Sequence, residues 1–118
     1  MDPDQAVAAL SALAQSTRLD VFRLLVKHEP EGLPAGEIAE AMGVVQNTMS
    51  AHLAILARAG LVTSKRSSRS MIYRADLNAL RAVTLFLLKD CCGGHADICA
   101  PLIADLTPCC PPETRSHV

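Results

Sequence analysis

The stretch Val44–Val62, VVQNTMSAHLAILARAGLV, decides how the rest of this 118-residue chain is read. Met49, Leu53, Leu56 and Ala57 recur at helical spacing, while Gln46, Asn47, Thr48, Ser50 and His52 fill the first turns with short hydrogen-bonding side chains. A helix built this way has one apolar face and a polar front end. Gly43 precedes it, and Ala35–Met42 before that carries a short helical pattern, so the pair reads as helix, tight turn, second helix. A second helix of this kind enters a DNA major groove front end first. Gln46, Asn47, Thr48, Ser50 and His52 are therefore the candidate contacts to bases or phosphates.

Charge supports that reading. From Val45 to Ala75 there are five basic residues, Arg58, Lys65, Arg66, Arg69 and Arg74, and no Asp or Glu, which leaves six basic residues and all 12 acidic ones elsewhere. A chain with a net charge of −1 is thus split into a positive segment and a negative body. Phosphate binding needs local positive potential, and an acidic body limits unspecific adhesion to nucleic acid. Taken alone, Lys65, Arg66 and Arg69 read equally well as a solvated hairpin tip. Beside the helical pair they read as phosphate contacts.

Downstream, Ala59 and Gly60 end the helical pattern, and Leu61–Lys65 is predicted to pair with Met71–Ala75 across a loop at Arg66–Ser70. A two-stranded hairpin after a helix-turn-helix is the wing of a winged-helix domain, with Lys65, Arg66 and Arg69 near its tip. Upstream, Asp2 and Pro3 start a first helix with Ala6, Val7, Ala9, Leu10 and Leu13 on its apolar face. It is too short and Ala-rich to stand alone, so it must pack against something larger. Ser16 is the expected cap of a second helix, Thr17 to about Lys27, with Leu19, Phe22, Leu24, Leu25 and Val26 apolar around most of its circumference. Arg18 and Arg23 are expected in surface salt bridges, and His28–Pro34, HEPEGLP, as a loop. A long last helix runs from a cap at Asp76 to about Cys92, apolar on two faces: Leu77, Leu80, Thr84 and Leu87 on one, Ala82, Leu85 and Phe86 on the other.

The expected architecture is mainly α, a winged helix-turn-helix of about five to six helices with one β-hairpin wing. With 50% hydrophobic residues the chain can build a real core, and with only Phe22, Tyr73 and Phe86 as aromatics that core must be aliphatic. The most apolar run, Ala82–Leu88, falls far short of the roughly 20 residues of a membrane span. The acidic start MDPDQ does not resemble a secretory signal, so a cytoplasmic protein with reduced thiols and no membrane partner is expected.

Three ordered motifs, LAQSTRLDVFRLL (Leu13–Leu25), the helix with Gln46, Thr48, Ser50, His52 and Leu53 followed by AGLV (Ala59–Val62), and RSSRSMIYR (Arg66–Arg74), resemble the ArsR/SmtB family of metal-responsive winged-helix repressors. The resemblance covers roughly residues 6–88. It implies a homodimer on double-stranded operator DNA, with the first and last long helices forming the dimer interface. Well-known arsenic-responsive members carry a Glu-Leu-Cys-Val-Cys-Asp motif on the helix before the recognition helix. The corresponding stretch here, LPAGEIAEAMG (Leu33–Gly43), has no cysteine.

All five cysteines lie beyond Lys89 instead, in DCCGGHADIC (Asp90–Cys99) and in PCC ending at Cys110. Gly93 and Gly94 allow a sharp reversal after the long helix, and Asp97 can cap a further short helix to about Leu106, with Pro101 tolerated near its start. Cys91, Cys92 and Cys99 would then face one another across a glycine hinge. Thiolates select thiophilic ions. Trivalent arsenic or antimony binds three sulfurs in a pyramid with its lone pair on the open side, so three cysteines suffice. Some arsenite-responsive members of the family place a Cys-Cys pair and a third cysteine beyond the last long helix, and the pattern here resembles theirs. That implies Cys91, Cys92 and Cys99 as the metalloid site.

Two other chemistries remain open. With His95 the same cysteines make a four-ligand zinc or cadmium set, and low-pKa thiols alone make a redox switch. Cys109 and Cys110 belong to a tail, residues 107–118, expected to be flexible, although such a pair would suit a methylated trivalent arsenical. A small arsenate reductase is the enzymatic alternative. It is disfavoured because DCCGGHADIC has no neighbouring arginine and no βαβ setting for an oxyanion loop. The expectation is therefore a non-enzymatic repressor of a metalloid-resistance operon. Residues 1–106 form its DNA-binding and dimerisation domain, with the effector site at residues 90–99.

Overall fold

Five α-helices and three short strands follow one another along the described residues: α1 (Pro3–Leu13), α2 (Ser16–Lys27), β1 (Leu33–Pro34), α3 (Ala35–Met42), α4 (Gln46–Arg58), β2 (Val62–Ser67), β3 (Ser70–Ala75) and α5 (Leu77–Cys92). The computed structural model describes residues 1–92 and Pro101, and of residues 89–92 the backbone only. The chain divides into two units, Met1–Val83 and Thr84–Val118. The domain boundary expected between residues 106 and 107 lies outside the described residues.

Three helix ends of the first unit have a clear physical basis. Asp2 and Gln5 form a reciprocal capping box on α1: the Gln5 N–H donates to the Asp2 carboxylate at 2.8 Å, and the Asp2 N–H donates to the Gln5 side-chain oxygen at 3.0 Å. α2 is capped by Gln15, not by Ser16 as expected; its side-chain oxygen accepts from the Arg18 N–H at 2.9 Å. α3 stops where Gly43 takes a left-handed φ of +67°. There the Val44 N–H reaches back to the Ala39 carbonyl at 3.0 Å and the Gly43 N–H to that of Glu40 at 3.2 Å. This glycine-closed end sets the tight turn between α3 and α4.

The core is aliphatic, as the shortage of aromatics requires. Val21, Leu25, Ile38, Met49, Leu53, Leu56 and Leu61 are fully buried, with Phe22, Val62, Ala75 and Val83 nearly so. Met49, Leu53 and Leu56 are the inward stripe of α4, whereas Ala57 is exposed. α1 packs through Ala6, Ala9 and Ala12, not through the larger Val7 and Leu10, which stay exposed. Small side chains let its backbone approach the rest of the unit closely, and the larger ones face outward. In α2, Leu19 and Val26 are likewise exposed and Val21 takes the inward position. In α5 the buried residue is Val83, while Leu77 and, in the second unit, Leu85 and Leu87 are exposed.

The wing belongs to a three-stranded antiparallel sheet of order β1-β3-β2. The expected hairpin is present, but HEPEGLP is not wholly a loop. Leu33 and Pro34 form β1, opposite Tyr73 and Ile72 of β3. Pro34 is tolerated because β1 is an edge strand, where a missing N–H leaves no ladder partner unsatisfied. β2 and β3 pair from Val62 opposite Ala75 out to Ser67 opposite Ser70, so the turn is only Ser68 and Arg69. Ser68 has the positive φ, 56°, that the first position of a two-residue hairpin turn requires.

Candidate nucleic-acid interface

α4 offers its front to solvent. Gln46, Asn47, Thr48 and Ser50 are all exposed, while Met49 between them is fully buried and fixes the rotation of the helix. No side chain caps α4. Val45 stands at its N-cap, so the first-turn N–H groups are left to an outside acceptor such as a phosphate. Val45 itself is 71% exposed, an apolar side chain at the entrance of a polar surface.

His52 differs from the other four candidates. It is half-buried, and its Nδ1 lies 3.4 Å from Nη1 of Arg18. A guanidinium only donates, so Nδ1 is the acceptor in this contact. Arg18 is not the surface salt-bridge partner expected of it. Its Nε donates to the Ala12 carbonyl at 2.7 Å, satisfying an acceptor at the C-terminal, electronegative end of α1.

The wing carries cations on both faces. Lys65 lies opposite Ile72 and Arg66 opposite Met71, so the two side chains leave the ribbon on opposite sides. Arg66 is a strand residue, not part of a tip loop, and Arg69 sits in the turn itself. Arg58, Lys65, Arg66 and Arg69 are exposed, and none makes an ion pair among the described residues.

Arg74, the fifth cation of the positive segment, is engaged. Its Nη2 and Nε donate to the two carboxylate oxygens of Glu29 at 2.7 and 3.2 Å. The hydrogen bond from Arg74 holds the Glu29 carboxyl below its ordinary range, and the same bond raises the Arg74 guanidinium further. The free positive charge of the segment is therefore smaller than its sequence suggests.

The cysteines expected from the sequence to bind a metalloid, Cys91, Cys92 and Cys99, are a different matter. Cys91 and Cys92 end α5, but their side chains, together with His95, Cys99, Cys109 and Cys110, lie outside the described residues. Among the described residues no three His, Cys, Asp or Glu side chains stand together as a metal site.

Comparison with known proteins decides the family. A family model described as a helix-turn-helix domain matches residues 13–65. The transcriptional activator HlyU of Vibrio cholerae is 30% identical over 88 residues, 75% of this chain and 79% of that protein. The nodulation protein NolR of Rhizobium meliloti is 31% identical over 96 residues, 81% of this chain and 75% of its own length. The solution structure of a homodimeric winged helix-turn-helix DNA-binding domain from Mycobacterium bovis, Mb0332, described as a possible ArsR-family regulator, is 28% identical. It superposes with a TM-score of 0.62 over 78% of this chain and 86% of that one. The chain belongs to the ArsR/SmtB family of winged-helix transcriptional regulators.

As an ArsR/SmtB-type regulator it is a DNA-binding protein and not an enzyme. Its α3 and α4 are the helix-turn-helix, and β2 and β3 the wing. No helix among the described residues is long and apolar enough to cross a membrane. Three residues beside these elements were not read from the sequence in the roles described above: Val45, Glu29 and Arg18. Val45 had a legible signal, an apolar residue outside the helical stripe and just ahead of the polar front. Arg18 and Glu29 act across long sequence separations and left none.

Proposed function

We propose that this ArsR/SmtB-family regulator is a homodimeric cytoplasmic repressor of a metalloid-resistance operon. It leaves its operator when trivalent arsenic or antimony binds Cys91, Cys92 and Cys99. The observation that carries the DNA-binding half is the uncapped, polar front of α4 beside a wing whose Lys65, Arg66 and Arg69 have no ion-pair partner among the described residues. In a dimer the two recognition helices enter successive major grooves about 34 Å apart. Gln46, Asn47, Thr48 and Ser50 reach base edges or phosphates, with His52 at the rear of that surface, and Val45 can meet a thymine methyl. Lys65, Arg66 and Arg69 hold the flanking phosphates.

Homodimerisation is supported by the homodimeric state of the Mycobacterium bovis domain and by exposed apolar side chains on α1 (Val7, Leu10) and α5 (Leu77, Leu85, Leu87). Support for the effector is chemical. Three soft thiols within the nine-residue stretch Cys91–Cys99 suit a pyramidal trivalent metalloid, and the helix that carries the effector cysteines in better-known arsenic sensors has none here. A coupling of about 1–3 kcal/mol per site lowers operator affinity roughly 5- to 150-fold, enough for two sites to empty an operator.

The test is fluorescence anisotropy of reduced protein on a duplex selected from a random library. Arsenite, antimonite, zinc, cadmium and peroxide are titrated in parallel. Release by arsenite or antimonite is expected. Release by zinc or cadmium alone would move the site to Cys91, Cys92, His95 and Cys99, and release by peroxide alone would make the thiols a redox switch.

A further inference from the structure

We propose that Glu29 and Arg74 are positioning residues for operator binding: their clasp sets the pitch of the wing, so that an acidic side chain is needed for tight binding to a polyanion. This rests on the reading that the wing meets operator phosphates.

The pair joins two elements 45 residues apart in sequence, the segment after α2 and the central strand of the sheet. Both carboxylate oxygens are used, which fixes angle as well as distance. The Glu29 side chain is 15% exposed and that of Arg74 49%, so the acid is largely withdrawn from solvent while the guanidinium is not. Glu31 adds a weaker attraction to Arg74, whose guanidinium is already engaged by Glu29.

The same segment presses on β3 again at Gly32. A Cβ there would stand 2.5 Å from the Tyr73 carbonyl oxygen and 2.7 Å from Cγ of Arg74, and φ is +77°. Immediately afterwards β1 pairs with Tyr73 and Ile72. Anchorage of the wing is thus concentrated at Ile72, Tyr73 and Arg74. Beyond Ile72, β2 and β3 pair only with each other out to the Ser68–Arg69 turn.

That outer part is a lever. At about 3.3 Å per residue, Arg69 lies roughly 10 Å beyond the last anchored position, so a tilt of about 10° at the base moves the tip by roughly 2 Å. A shift of that size takes a guanidinium out of hydrogen-bond range of a phosphate oxygen. The sign of the effect separates this role from simple electrostatics. Removing an acid beside a DNA-binding surface ordinarily strengthens binding and steepens its salt dependence. Removing a positioning acid weakens binding and does not steepen its salt dependence, because wing cations are drawn away from phosphates rather than added to them.

The experiment uses the full chain and its selected duplex at several salt concentrations, comparing wild type with Glu29→Gln, Arg74→Gln and the exchange Glu29→Arg/Arg74→Glu. Affinity, hydroxyl-radical footprint and circular dichroism are read for each. Glu29→Gln is expected to bind about three- to tenfold more weakly, the scale of one well-formed ion pair. Its salt slope is no steeper than that of wild type, and it keeps central protection but loses flanking protection. The exchange variant is expected to recover at least half of the loss, a rescue that lost charge alone would not give. Tighter binding by Glu29→Gln with a steeper salt slope would overturn the proposal and make Arg74 a phosphate ligand held in check. Unchanged binding by Glu29→Gln, or an exchange variant no better than either single change, would also overturn it. Absence of any salt-dependent binding by the wild type would instead remove the DNA reading beneath it.

Discussion

The two ends of the wing hold the same kind of residue in opposite circumstances. At the tip, Arg66 and Arg69 stand exposed with no ion-pair partner among the described residues; at the base, Arg74 is clasped by Glu29 on a strand that ends in the buried Ala75. The chain ties down the base with buried apolar contacts, a bidentate ion pair and a close glycine contact, and leaves the tip charge exposed. Stability should therefore reside at the base and DNA affinity at the tip.

The largest effect is expected from Gly32→Ala. A methyl group 2.5 Å from a backbone oxygen, at a left-handed φ, should cost about 2–4 kcal/mol of folding stability by thermal or urea unfolding. A variant as stable as wild type would mean that the base is not the anchor. Next comes the double change Arg66→Ala/Arg69→Ala. It should weaken operator binding roughly 10- to 100-fold and reduce the salt slope by about two, with no change in melting temperature. A drop in melting temperature matching that of Gly32→Ala would erase the division between the two ends.

Acid should act on the base alone. Glu29 has a lowered folded-state pKa because of the Arg74 hydrogen bond, so the pair stabilises the fold above the ordinary Glu value of 4.5 and is lost as pH falls through the lowered folded value. The stability gap between wild type and Glu29→Gln should therefore be widest near neutrality and close as the pH falls below the ordinary Glu value of 4.5. A gap that persists in acid would show that the charge of Glu29 is not what matters. The smallest effect is expected from Ser68→Gly at the turn, a stabilisation of about 0.5 kcal/mol or less with DNA affinity intact, since glycine takes a φ of 56° without strain. A loss of affinity there would assign the Ser68 side chain to the interface.

The same contrast explains what the sequence disclosed. The stripe Met49, Leu53, Leu56 and the glycines at either end of α4 are local signals, and they mark the helix-turn-helix and the start of the hairpin in the sequence itself. β1 was hidden because it is two residues long and contains a proline, and strand periodicity needs more than that. The α1 face was misjudged because hydrophobicity favours Val7 and Leu10, whereas close packing favours Ala6, Ala9 and Ala12. Counting Arg74 as free charge failed for a similar reason, since Glu29 is 45 residues away and only the fold brings them together. His52 and Arg18 repeat that pattern across a separation of 34 residues. The assignment of Cys91, Cys92 and Cys99 rests on thiol softness, spacing and family resemblance, and their side chains lie outside the described residues.

The most direct test is the arsenite-driven release of wild type and Cys99→Ser from the same labelled duplex, followed by anisotropy under reducing conditions. The expected result is equal initial affinity, full release of the wild type, and retention of the variant on DNA. Equal release of the two proteins would contradict a site that needs the thiols of Cys91, Cys92 and Cys99 together.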